Sequence, residues 1–224
     1  MPTQQIDTVI IGGGQAGLST SYWLKQHGAA HLILEKTDAP GSAWRQRWDS
    51  FTLVTPNWSF QLPGGAYGQT DPHGYMGREQ ILAAFADYAR RHQLPVRYGS
   101  EVTAVAQTPN RQDYRVTMAD DWTIEAANVV LATGSFQQPN LPTFAAALPN
   151  HILQWHSGRY RNPAALPPGA VLVVGSGQSG AQIAEELYQH GRTVYLCVGS
   201  AGRAPRRYRG RDTWEWLSLC GFLD

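Results

Sequence analysis

Cysteine is scarce, with Cys197 and Cys220 the only two in 224 residues. That excludes a disulfide framework and makes a reducing cytoplasm the expected compartment. The two lie 23 positions apart, so the close redox pair of a disulfide reductase is missing as well. No apolar run approaches the roughly 18 residues of a membrane span. The first strand is reached within ten residues, so no signal or transit peptide is expected. Net charge is +1, which gives no general case for nucleic acid or an anionic membrane as a partner. No Ser-His-Asp arrangement and no metal-ligand cluster stands out. Acid is also missing locally, with none between Gly191 and Arg211. Residues 191–224 carry six arginines (Arg192, Arg203, Arg206, Arg207, Arg209 and Arg211) against three acids. Such a stretch reads either as a solvated basic loop or as an anion site with guanidinium forks aimed at phosphate.

What is present is a pattern that occurs twice. Ile6–Ile11 is apolar and β-branched, the signature of a buried parallel strand. Gly12–Gly17 (GGGQAG) is a turn, Leu18 to about His27 has helical spacing stopped by Gly28, and His31–Glu35 is a second strand. Further on, Ala170–Val174 is a strand, Gly175–Gly180 (GSGQSG) a turn, Ala181–His190 a helix stopped by Gly191, and Thr193–Val198 a strand expected to be buried. The two glycine turns start 163 residues apart, a duplication of a binding unit. In each, the first glycine (Gly12, Gly175) permits the tight turn. The second (Gly14, Gly177) lets backbone approach a pyrophosphate, and the third (Gly17, Gly180) allows close helix–strand packing. The intervening Gln15 and Ala16, and Ser176, Gln178 and Ser179, place backbone N–H groups at the positive end of a helix. Both turns therefore predict dinucleotide binding.

The strand ends separate the two ligands. The first closes on Glu35, eighteen residues after Gly17, with Lys36 beside it. A carboxylate there accepts hydrogen bonds from ribose hydroxyls and repels a 2′-phosphate. The second closes on Cys197-Val198-Gly199-Ser200 with no acid, and arginines follow, which favours NADP over NAD. Ser200 and Arg203 are the nearest candidates for the 2′-phosphate, with Arg206 or Arg207 as alternatives.

Between the repeats, residues 36–77 are rich in Gly, Pro and aromatics (Trp44, Trp48, Phe51, Trp58, Phe60, Tyr67, Tyr75) and read as an ordered wrap over a ligand. Arg78–His92 has helical spacing, with Ile81, Leu82, Phe85 and Tyr88 on one face. Glu101–Gln107, Asp113–Met118 and Trp122–Ala126 alternate as an antiparallel meander, turning at Pro109-Asn110 and Asp120-Asp121. Asn128–Ala132 reads as a separate buried strand closed by Thr133-Gly134, and Thr213–Leu219 as a short helix capped by Asp212.

These motifs together resemble the two-dinucleotide-binding-domain flavoproteins. The chain is most similar to the class B flavin-dependent monooxygenases and their bacterial CzcO-like relatives. The residues that carry the likeness are GGGQAG (12–17), LEK (34–36), GSAWRQRWDSFTLVTPN (41–57), ATG (132–134), WHSGRY (155–160) and GSGQSG (175–180). The resemblance implies an α/β fold with two Rossmann-like units, FAD-binding and NAD(P)-binding, of three-layer β-β-α character, the second incomplete. It divides the chain into an FAD domain over 1–150, a Pro-rich linker over 151–169 and a partial NADP domain over 170–224. It places Trp44 and Arg45 along the flavin's pyrophosphate and ribityl portion, and Asn57 facing the flavin ring as the catalytic-site residue. Val102 would meet the adenine, and Ala132, Thr133 and Gly134 would close the FAD site. His156 would lie on the nicotinamide side or at the domain hinge.

The activity so implied is hydride transfer from NADPH to FAD, then O₂ activation as a C4a-hydroperoxyflavin and oxygen transfer to a small nucleophilic or carbonyl substrate. The family's linker signature, FxGxxxHxxx(W/P), is kept at His156, Ser157 and Tyr160. It is broken at Asn150 and Ile152, where Phe and Gly are expected. An NADPH-flavin oxidase or dehydrogenase without oxygen transfer is therefore an alternative, as is a catalytically incomplete FAD-binding fragment. In the family the chain returns to complete the first domain, and no returning strand follows Thr213–Leu219. A dimer or a missing C-terminal segment is expected to cover the open sheet.

Overall fold

A computed structural model describes residues 3–65, 71–108, 113–136, 138–200, 202 and 204–223. Tyr67, the Pro109-Asn110 turn and Arg203 lie outside the described residues. The chain forms two compact units, one of residues 1–46, 61–67 and 79–140, the other of 47–60, 68–78 and 141–224. The aromatic wrap is thus shared between them, and its 47–60 and 68–78 stretches cluster with the second glycine turn.

The first unit starts with β1 (Thr3–Ile11), α1 (Gln15–Gln26) and β2 (His31–Leu34). The short helix α2 (Ser42–Arg45), α3 (Arg78–Arg91) and β3 (Val96–Arg97) follow, then β4 (Val102–Gln107), β5 (Tyr114–Met118) and β6 (Thr123–Leu131). The strands form one six-stranded sheet in the order β3-β2-β1-β6-β5-β4. β1 is parallel to both β2 and β6, while β5 is antiparallel to β4 and β6.

Three sequence expectations are corrected here. Trp122–Ala126 and Asn128–Ala132 are one strand, because β1 runs back to Thr3 and pairs with Thr123–Ala126 as well as with Asn128–Leu131. The C-terminal half of β6 is not buried: Leu131 is 72% exposed. The two-residue strand β3 was not expected, being too short to carry an alternation, and is held on β2 through Ile33↔Val96 and Leu34↔Arg97.

The sheet buries both faces around β1, as parallel strands require. Val9 and Ile11 join Leu34, Val116, Met118, Ile124 and Ala126 in one cluster. Ile10 and Ile33 are buried outside it. Helix α3 buries Ile81, Leu82, Phe85, Tyr88 and Ala89 at i, i+3, i+4 spacing, the stripe expected of an amphipathic helix. The Tyr88 hydroxyl donates to Pro63 O at 2.7 Å, and burial pushes that phenol up to about 12.

The second unit holds β7 (Val171–Val174), α4 (Gln178–Gln189) and β8 (Val194–Cys197), then a hairpin of β9 (Arg207–Tyr208) and β10 (Arg211–Asp212), and α5 (Thr213–Leu219). β7 and β8 are parallel and form a two-stranded sheet by themselves. Register places Leu172 opposite Tyr195 and Val174 opposite Cys197, so these four share a face. That face is exposed, and Cys197, expected to be buried, is exposed with it. No other strand or helix in the described part of this unit lies over it to bury it. The Asp212 cap is as expected: its carboxylate accepts from Trp214 N at 2.8 Å.

The unit's interior is built on the wrap and the linker. Trp48, Phe51, Leu53, Phe60, Tyr160, Ile183 and Leu187 are buried. Among the described residues no helix is long and apolar enough to cross a membrane.

Candidate functional site

Both glycine turns have the geometry that their spacing predicts. Gly12 and Gly175 have φ of 108° and 105°, a region that only glycine enters without strain. A Cβ added to Gly17 would lie 1.9 Å from Gly12 O, and one added to Gly180 would lie 1.9 Å from Gly175 O. The helix can approach the turn only because the third glycine has no side chain. Gly12 N donates to Leu34 O at 2.8 Å and Gly175 N to Cys197 O at 3.0 Å, so each turn is tied to the end of its second strand. Around Gly14 and Gly177 no atom lies within 4 Å of an added Cβ. The helices begin earlier than expected, at Gln15 and Gln178, with Gly14 and Gly177 as caps and no side chain bonding to either helix start. First-turn N–H groups thus point into open space at the positive helix end, which is the arrangement a pyrophosphate needs.

In the first unit four further elements converge on the turn. Glu35 is 2% exposed, and its carboxylate accepts from Gly13 N at 2.7 Å, Thr37 N at 3.0 Å and Thr37 Oγ1 at 2.8 Å. The side chain is therefore locked against the glycine turn. A carboxylate has about four acceptor positions, so it retains capacity for a ribose hydroxyl. Gly41, with φ 83°, donates its N–H to Gly13 O at 3.1 Å and starts α2, which sews Trp44 and Arg45 to the same turn. The Trp44 ring stands 6.4 Å from that of Phe85, and Arg45 is exposed.

Ala132 N donates to Ile11 O at 2.9 Å, and its own carbonyl would lie 2.5 Å from a Cβ on Gly12. Ala132, Thr133 and Gly134 thus border the turn, the last two exposed. Gly99 N and Ser100 N donate to Thr37 O and Glu35 O, both at 2.9 Å, bringing the start of β4 alongside. A bulge between Val102 and Ala104 turns Val102 toward the core cluster while the rest of β4 stays exposed. Tyr98, which the sequence did not flag, lies near Glu35: burial first, then the Glu35 charge, raises its phenol. Lys36 is exposed.

Asn57 and His156 belong to the second unit. Asn57 is buried, and its carboxamide clips the 71–76 segment, donating to Asp71 O at 2.8 Å and accepting from Met76 N at 2.6 Å. His156 is exposed and caps its own turn, accepting from Gly158 N at 3.1 Å. Ser200 is exposed, three residues beyond the end of β8. By the matched bonds of Leu34 and Cys197, the second unit's counterpart of Glu35 is Val198, 46% exposed. Arg206 is spoken for: its Nε lies 2.8 Å from Asp212 Oδ2, Nη1 donates to Val54 O, and its guanidinium stands 4.6 Å from the Tyr75 ring centre.

Sequence reasoning also missed the anchors of α4. Gln182 Nε2 donates to Thr52 O at 3.0 Å, and one turn on, buried Glu186 accepts from the Tyr160 hydroxyl at 2.5 Å. Burial, and then the bond to Glu186, raises the Tyr160 phenol. The only advance signal was that Gln182 and Glu186 are polar residues four apart on a helix with an otherwise apolar buried face.

Comparison with known proteins supports one lineage. The pyridine nucleotide-disulphide oxidoreductase family model matches residues 9–217. A CzcO-like oxidoreductase of Geobacillus kaustophilus is 40% identical over 220 residues, 98% of this chain and 62% of that protein. The CzcO oxidoreductase of Bacillus subtilis is 35% identical over 97% of this chain and 62% of its own length. A flavin-containing monooxygenase structure from Stenotrophomonas maltophilia superposes with a TM-score of 0.82 at 29% identity, covering 96% of this chain and 63% of that one. The chain thus spans less than two thirds of the length of these proteins.

Proposed function

The chain belongs to the pyridine nucleotide-disulphide oxidoreductase family, and on that footing we propose that it carries the FAD site and the NADP site of a monooxygenase-type flavoprotein oxidoreductase. The observation that supports this most is the duplicated glycine turn, with the same backbone and different strand ends. The first site fits a flavin dinucleotide. N–H groups of α1 hold the pyrophosphate over the open Gly14, Glu35 takes a ribose hydroxyl, and Trp44 and Arg45 lie along the chain toward the ring. The second fits NADP. The α4 turn holds a pyrophosphate in the same way, and Val198 in place of an acid leaves room for a 2′-phosphate, read by Ser200 and Arg203. A flavin held at the first turn would supply redox chemistry between a reduced nicotinamide held at the second and O₂, for oxygen transfer to a small nucleophilic or carbonyl substrate.

The protein's own groups bind, orient and exclude water. Asn57 is a rigid part of the wrap, both ends of its carboxamide being engaged. The disulphide chemistry in the family's name lacks a closely spaced cysteine pair here, and Cys197 and Cys220 are free and exposed. An oxidase without oxygen transfer is the second reading, favoured by Asn150 and Ile152 in the linker signature.

The test is anaerobic. FAD-loaded protein is mixed with NADPH and flavin bleaching is followed, then air is readmitted. Bleaching with peroxide release and no oxygenated product would select the oxidase. Absence of bleaching would remove both readings. Arg203→Ala is expected to raise KM for NADPH far more than for NADH; equal rises would reject its assignment to the 2′-phosphate.

A further inference from the structure

The second unit contains a cleft that neither dinucleotide turn lines. It lies between the 71–76 segment, the β9–β10 hairpin and α5, and encloses about 480 Å³, with an adjoining part of about 230 Å³. Small-ligand sites typically occupy ~300–1,000 Å³. The larger part is lined by His73, Arg207, Arg211, Asp212 and Glu215 among others. The smaller shares His73, Arg211 and Glu215 and adds the apolar Trp58 and Leu219.

The charges in this cleft do not balance. Asp212 is consumed: Oδ2 takes the Tyr75 hydroxyl at 2.7 Å and Arg206 Nε at 2.8 Å, and Oδ1 takes Trp214 N at 2.8 Å. Glu215 Oε1 is 2.9 Å from His73 Nδ1. Arg207 and Arg211 therefore line the cleft with no ion-pair partner among the described residues. The hairpin fixes their backbone, with Arg207 opposite Asp212 and Arg211 opposite Tyr208. Arg209 and Gly210 have φ of 50° and 76°, the mirror-image two-residue turn that matches strand twist. The Arg211 guanidinium also stands 5.7 Å from the Trp216 ring centre. Guanidinium groups lining a cleft suit a planar oxyanion, and a tryptophan and a leucine alongside suit an apolar tail.

We propose that this cleft is a binding site for an amphiphilic organic anion, a carboxylate with an aromatic or alkyl tail. The head would rest on Arg207 and Arg211 and the tail against Trp58 and Leu219. The site uses neither glycine turn nor Ser200 and Arg203; Arg207 is also an alternative reader of the 2′-phosphate, so competition by NADP⁺ separates the two roles.

The test is calorimetric titration of the whole chain, without flavin, by 3-phenylpropionate, its neutral amide, octanoate, inorganic phosphate and NADP⁺. The carboxylates are expected to bind, with the amide and phosphate about tenfold weaker or more. Arg207→Gln and Arg211→Gln should each weaken 3-phenylpropionate about tenfold, whereas Arg209→Gln, off the cleft lining, should leave it unchanged. Circular dichroism checks folding, which these exposed side chains should not affect. Four results would overturn the proposal: no carboxylate binding at millimolar concentration, equal binding of the amide or of phosphate, an Arg209→Gln loss as large as the others, or displacement of 3-phenylpropionate by NADP⁺.

Discussion

Gly12–Gly17 and Gly175–Gly180 place their third glycine at the same 1.9 Å virtual contact with the first glycine's carbonyl, yet their surroundings differ in every respect. The first turn sits in a six-stranded sheet, against a buried glutamate and a helix sewn to it by Gly41. The second sits on a two-stranded sheet whose outer face, Leu172, Val174 and Tyr195, is exposed. Helix α1 is anchored to its following strand by Ser21 Oγ to His31 Nε2 at 2.8 Å, whereas α4 is anchored to the wrap and linker through Gln182 and Glu186. Turn geometry is therefore a local property of glycine spacing. Burial comes from residues outside the turn.

The largest expected effect breaks the shared feature. Gly17→Ala puts a methyl into Gly12 O, and should cost about 3 kcal/mol or more of stability in thermal unfolding, with loss of FAD binding. Gly180→Ala meets the same contact and should abolish NADP⁺ binding, with a smaller fall in stability, because fewer neighbours depend on that turn.

Next in size is the α4 anchor to the linker, which has no counterpart at α1. Tyr160→Phe leaves buried Glu186 short of its donor, expected to cost ~1–3 kcal/mol by denaturant titration. An unchanged midpoint would show that the pair is incidental.

The strand ends can be exchanged. Val198→Glu imports the acid of the first unit and should lower the NADPH-over-NADH preference about tenfold or more, read from the ratio of kcat/KM values. Glu35→Gln sets an amide N–H₂ against a backbone donor, Gly13 N or Thr37 N, and should weaken FAD about tenfold.

The smallest effect is an acid one. The Asn162 amide, and after it the Arg78 charge, hold the Asp49 carboxyl below its ordinary value of 3.8. A depressed native value contributes stability above pH 3.8 that is lost as pH falls through it. Asp49→Asn should therefore flatten the loss of stability on acidification below about pH 4.

The sequence carried the two β-turn-α-β units, the face of α3, the meander and the Asp212 cap, because each rests on local spacing or local capping chemistry. It split β6 in two, since Ala126 and Asn128 follow different periods and only pairing with Thr3–Ile6 shows their continuity. It hid β3, which has no period of its own. It expected Cys197 to be buried because TVYLCV is apolar, but apolar composition states a requirement for cover and not its presence. Around the first turn, the glycines, Glu35, the Trp44-Arg45 pair and Ala132 stand out in the sequence as motifs, and the structure gathers them there. Gly41's bond to Gly13, the Tyr160–Glu186 pair and the occupation of Arg206 by Asp212 do not stand out, being tertiary contacts with no sequence signature.

The central claim is that the two turns hold different dinucleotides, and Gly14 and Gly177 test it most directly. Both have ordinary negative φ and nothing within 4 Å of an added Cβ, so a side chain can start there without a clash, and valine is chosen to fill the space a ligand would use. Calorimetric binding of FAD and NADP⁺ to Gly14→Val and Gly177→Val is the measurement. The first should lose FAD and keep NADP⁺, and the second should lose NADP⁺ and keep FAD. Loss of both ligands in either variant, or of neither, would contradict it.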